Sequence, residues 1–124
     1  MTRYTVPHDA ILEPFTIVQT RRSAQLPPEL IGVVVRPSGY GAWIVDVGMV
    51  DRRVLPMDAP RNLWELRVEH IEFVLSEFPP EERSGPRHFR PEVGPVEPSI
   101  RHSRRLQEKL DRLRFDHRRA KRRA

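Results

Sequence analysis

Leu30-Ile31-Gly32-Val33-Val34-Val35-Arg36, then Pro37-Ser38-Gly39-Tyr40-Gly41, then Ala42-Trp43-Ile44-Val45-Asp46-Val47: the reading of the fold turns on this stretch. The first run is short, apolar and β-branched, which is the composition of a strand covered on two faces. The middle five residues supply a fixed φ from Pro37 and positive-φ capacity from Gly39 and Gly41, so they predict a hairpin loop. The third run returns as a strand. Upstream, Pro14 to Arg22 alternates Phe15, Ile17 and Gln19 with Thr16, Val18 and Thr20 and predicts another strand, separated from the hairpin by the breaker Leu26-Pro27-Pro28-Glu29. Downstream, Met49 to Leu55 predicts a weaker strand that Pro56 stops.

Beyond the strands the period changes. Asp58 or a neighbour can cap a helix, Pro60 fits its first turn, and Trp64, Val68, Ile71, Leu75 and Phe78 fall at i, i+4, i+7, i+11 and i+14. Leu63 and Leu66 widen that stripe, and Glu65, Glu69 and Glu72 form an acidic outer one. The expectation is a helix over 60–78, ended by Pro79-Pro80. Residues 1–78 then form an α+β domain: a small, strongly bent β-sheet or barrel closed by that helix. The succession Gly32-Val33-Val34-Val35, a Gly-containing loop, Trp43-Ile44-Val45-Asp46-Val47 and Arg53-Val54-Leu55-Pro56 resembles SH3-like barrels. The resemblance covers residues 30 to 56 and has no diagnostic motif. It implies a fold and carries no functional residue, since such barrels serve peptides, nucleic acids and proteins alike.

Residues 79–98 hold six prolines (Pro79, Pro80, Pro86, Pro91, Pro95, Pro98) with Gly85 and Gly94, a composition that predicts an extended tether. Residues 99–124 follow as a basic amphipathic helix, capped by Ser99, with Leu106, Leu110 and Leu113 as a narrow apolar seam.

Charge divides the chain along the same boundary. The net +5 hides eleven arginines against fourteen acids in residues 1–98, a net of −3, and eleven Arg or Lys against three acids in 99–124, a net of +8. The cations are Arg101, Arg104, Arg105, Lys109, Arg112, Arg114, Arg118, Arg119, Lys121, Arg122 and Arg123. Such a concentration predicts a partner of opposite sign. Guanidinium forks match phosphate oxygens, so DNA or RNA is the first expectation for these eleven residues. An acidic protein surface met by a docked basic helix is the second. In either case Leu106, Leu110, Leu113 and the loop residue Tyr40 are candidate partner-docking positions, the N-terminal domain is expected to contact a protein, and self-association through the seam is a further expectation.

Catalytic chemistry finds little support. Gly39-Tyr40-Gly41 lacks the spacing and the Gly-Lys-Ser/Thr of a phosphate loop, and a strand rather than a helix follows it. His8, His70, His88, His102 and His117 include no i, i+4 pair for zinc, and no Gly-x-Ser-x-Gly frames a nucleophile. No enzyme, metal or cofactor is expected. The absence of cysteine removes disulfides and thiolate ligands. No run approaches the roughly 18 to 20 apolar residues of a membrane span, and the first residues lack a signal-peptide core, so a cytoplasmic protein is expected.

Overall fold

The computed structural model describes residues 2–21, 30–39, 41–48, 63–82, 87–89, 91, 100 and 103–123, with Glu82 and 114–123 entering by their backbone alone. Among these, nine strands precede one α-helix: β1 (Thr2–Thr5), β2 (Ile11–Leu12), β3 (Ile17–Thr20), β4 (Ile31–Pro37), β5 (Ala42–Asp46), β6 (Leu63–Arg67), β7 (Ile71–Ser76), β8 (Glu81–Glu82), β9 (Arg87–Phe89) and α1 (Arg104–Arg123). A six-stranded antiparallel sheet runs β1-β7-β3-β4-β5-β6, and a small sheet runs β2-β9-β8.

The predicted hairpin is present. Strand β4 pairs with β5 antiparallel, Val34 opposite Val45, around a loop in which Gly39 and Gly41 have φ of 72° and 66°. The pairing register shifts between Val34 and Arg36, an extra residue that bends the strand. Gly32 has a packing role: a Cβ there would lie 2.5 Å from Val45 Cγ1 and 3.0 Å from Val47 Cγ1. At the far end of β3, Thr20 donates its N–H to the Leu30 carbonyl, and its hydroxyl accepts from the Leu30 N–H at 3.0 Å, so both sides of the β3–β4 ladder are tied at that point. Asp46 Oδ1 accepts the Gly48 N–H at 3.0 Å and turns the chain at the end of β5.

The helix expected at 60–78 is corrected by the structure. Its described part is two strands, β6 and β7, joined by a 3-10 turn at Val68–His70, in which the Arg67 N–H donates to His70 Nδ1 at 3.1 Å. These strands follow one another in the chain but are separated in the sheet by β3, β4 and β5. In a flat sheet they would lie about 19 Å apart. A 3-10 turn rising about 2 Å per residue falls well short of that. The sheet is therefore strongly bent, yet among the described residues no hydrogen-bonded ladder closes it into a barrel: its edges are β1 and β6. The strand expected at 49–55 lies outside the described residues.

Bending gives the sheet an inner and an outer face, each with its own core. Inside, Val18, Val34, Trp43, Val45, Val47, Leu66, Ile71 and Val74 cluster with Ala10, Leu12, Leu30 and Phe89. Leu12 and Phe89 belong to the small sheet. Residues 79–98, expected as a tether, thus contribute β8 and β9, and Phe89 is 1 % exposed. Outside, Ile17, Ile31, Val33 and Leu75 pack with Ile100, Leu106 and Leu110. The layers are small sheet, bent sheet and helix, and the element covering the outer face is the C-terminal helix.

Candidate functional site

Helix α1 starts one turn later than Ser99 would set it. Ser103 is its N-cap: its hydroxyl accepts the Leu106 N–H at 3.2 Å, and its carbonyl accepts the Gln107 N–H at 3.0 Å, the first bond of the helical ladder. The 20 residues that follow span about 30 Å. Arg, Leu, Gln, Glu and Lys dominate this stretch and are good helix formers without β-branching.

Leucine positions at i, i+4 and i+7 share one face. Leu106 and Leu110 are 0 % and 1 % exposed against the outer face of the sheet, and Leu113 packs at the edge of the same cluster. The seam expected to dock on a partner is thus satisfied within the chain. The physical reason is that Ile17, Ile31, Val33 and Leu75 give the sheet a second apolar face that needs a cover.

With the leucines turned inward, Arg104, Arg105 and Arg112 are exposed. Lys109 is partly buried: its Nζ lies 3.1 Å from Glu77 Oε2 and 5.6 Å from the centre of the Phe78 ring. Gln107 Nε2 donates to Asp111 Oδ1 at 3.0 Å, one turn on. No acidic residue occupies the first turn of α1, where Arg104 and Arg105 add their charge to the positive end of the helix dipole. Both terms favour an anion. Arg114, Arg118, Arg119, Lys121, Arg122 and Arg123 lie on the continuing helical backbone. Arg101 and Tyr40 lie outside the described residues.

The structure adds residues that charge density does not single out. Arg3, on edge strand β1, is exposed and sits 5.8 Å from the centre of the Phe73 ring. The Ser76 hydroxyl accepts the Phe78 N–H at 3.0 Å, a local turn that leaves the Phe78 ring exposed beside Lys109. A signal for β1 existed: Tyr4 between Arg3 and Thr5 is an apolar residue alternating with polar ones.

Among the described residues no group of three or more His, Asp or Glu converges as metal ligands would, and no helix is long and apolar enough to cross a membrane. No protein-family model, curated protein or solved structure matches this chain.

Proposed function

We propose that this chain is a non-catalytic accessory protein that holds nucleic acid through the cationic side of α1 while its sheet domain contacts a protein. One observation carries the reading: Leu106 and Leu110 are spent on the chain's own sheet, whereas Arg104, Arg105 and Arg112 stand exposed. A basic helix that docks on an acidic protein gains most from anchor residues buried at the centre of the contact, and the leucines of this helix are already committed to its own sheet. Phosphate recognition needs no such anchor, because charge-assisted contacts to a polyanion supply the affinity by releasing counterions. The charge count points the same way: residues 114–123 hold six Arg or Lys and the single acid Asp116, so cation density rises along α1 past its last described packing leucine.

We also read the strand succession β7-β3-β4-β5-β6, with a 3-10 turn between β6 and β7, as an SH3-like arrangement. The strand order and the short connection support it. The hydrogen bonding leaves it open, and the fold by itself assigns no ligand.

The test is a salt titration of binding to generic DNA and RNA by fluorescence anisotropy. If about six phosphates are neutralised, affinity falls on the order of 10³-fold between 50 and 200 mM salt. Replacing Arg104, Arg105 and Arg112 together by Gln lowers affinity and reduces the salt slope by up to about three, at unchanged helicity. Substitution is the right instrument, since removing residues 99–124 would strip the cover from Ile17, Ile31, Val33 and Leu75. A wild-type protein that ignores both polymers at low salt and instead retains an acidic partner protein overturns the proposal.

A further inference from the structure

Two aromatic rings and four cations share one flank of the molecule. Phe73, Leu75 and Glu77 alternate along one side of β7 and its end, with Arg3 directly opposite Leu75 on β1. Arg3 holds its guanidinium over Phe73, while at the other end of this row Lys109 reaches both Glu77 and Phe78. The row is about 13 Å long. Arg105 and Arg112 lie four residues before and three residues after Lys109, so they stand on the same side of α1, and both are exposed.

We infer that this flank binds single-stranded nucleic acid, with Phe78 as a base-stacking platform and Arg3, Arg105, Lys109 and Arg112 along the phosphate path. The inference rests on the nucleic-acid reading above and names the form of the polymer. Duplex DNA keeps its bases stacked inside, where a ring on a protein surface cannot reach their faces. Its major groove, about 12 Å wide, admits an α-helix and offers base edges, not base faces. The first turns of α1 are backed by the sheet through Leu106 and Leu110, so only their outer side is open to a groove. An unpaired strand offers both missing features, π-faces for an aromatic and phosphates for the neighbouring cations. Phe78 is 38 % exposed with the Lys109 ammonium beside its ring, so an open aromatic surface and a cation are adjacent, as stacking of a base next to its phosphate requires. Glu77 and the exposed Glu108, which lies between Arg105 and Arg112 on α1, carry the opposing charge on this flank; the Lys109 ammonium offsets the first, and Arg105 and Arg112 outnumber the second.

The experiment measures binding of the full chain to three probes at low salt: an oligothymidine of about 12 residues, the same length carrying abasic positions, and a duplex. Phe78→Ala weakens the oligothymidine about tenfold and leaves the duplex and the abasic strand unchanged. Phe78→Trp restores binding, whereas Phe78→Leu, which keeps apolar volume without a π-face, does not. Equal losses on all three probes, or none from Phe78→Ala, overturn the inference. If Arg105→Gln with Arg112→Gln still weakens every probe in that case, the nucleic-acid reading stands and only the single-strand assignment falls. If the wild-type protein binds none of the three, both fall together.

Discussion

The two faces of the bent sheet are covered by different means. The inner face is filled from many places, with strands β3 to β7 converging on it and Ala10, Leu12, Leu30 and Phe89 closing over them. The outer face has a single main cover, α1, which touches it through Leu106, Leu110 and Leu113, with Ile100 just ahead of the helix. Both tryptophans pack inside, Trp43 buried and Trp64 at the margin. The only α-helix among the described residues is outside. The inner face thus defines the domain, and the outer face serves to hold a charged helix at a fixed orientation. The comparison also separates two spectroscopic signals, tryptophan fluorescence for the inner core and far-ultraviolet dichroism for the helix.

The largest expected effect tests whether the small sheet is part of the inner core or an ornament on it. Strands β2, β8 and β9 have two or three residues each, too short for stability of their own. Phe89→Ala removes a side chain that is 1 % exposed and leaves a void among Leu12, Val74 and their neighbours. The cost is about 3 to 5 kcal/mol, read from the midpoint of urea unfolding followed by tryptophan fluorescence. A loss below about 1 kcal/mol would mean that the site collapses freely and that the small sheet adds little to the inner core.

How much of this was legible depends on the face. The hairpin of β4 and β5 could be read because composition and turn chemistry agree there, and Val33-Val34-Val35 signalled burial on both sides: Val33 points to α1, Val34 to the inner core. Strands β6 and β7 were misread through a coincidence of phase. In β6, Trp64 and Leu66 point inward with period two, between exposed Leu63, Glu65 and Arg67. The 3-10 turn then shifts the phase by one residue, so that Ile71 points inward. Strand β7 is central and buried on both sides, so Phe73, Val74 and Leu75 are all packed, and the sum imitates a helical repeat. The alternation of Glu65, Arg67 and Glu69 with Trp64, Leu66 and Val68 held the correct answer. For β9 the surrounding prolines masked a strand that a single aromatic anchors. The cations of the candidate site were legible from charge alone. The destination of the leucines was not, because local sequence does not say which sheet face lacks a cover.

On the outer face, Leu110→Ala is expected to cost about 2 to 5 kcal/mol, and how the loss appears matters more than its size. If the helix and the sheet unfold as one unit, dichroism at 222 nm and tryptophan fluorescence shift together. If the outer face is a separate unit, the helical signal fades at lower denaturant while fluorescence holds. The narrow contact of α1 against the many-sided inner core predicts the second outcome. Coincident transitions would show that the contrast between the faces has no energetic counterpart.

The smallest effect concerns the start of the helix. Ser103 is 1 % exposed, and its hydroxyl is the acceptor for the Leu106 N–H. Ser103→Ala leaves that buried donor without its partner, at a cost of about 1 kcal/mol. Ser103→Thr keeps a hydroxyl acceptor at the cap and brings no charge into a site that is 1 % exposed, so it recovers most of the loss. The two variants also bear on the candidate site without touching a cation in it. If the sheet alone fixes α1, Ser103→Ala lowers the midpoint of the helical transition and leaves anion affinity in the folded state unchanged. If capping helps to hold the first turn, where Arg104 and Arg105 stand, affinity falls as well.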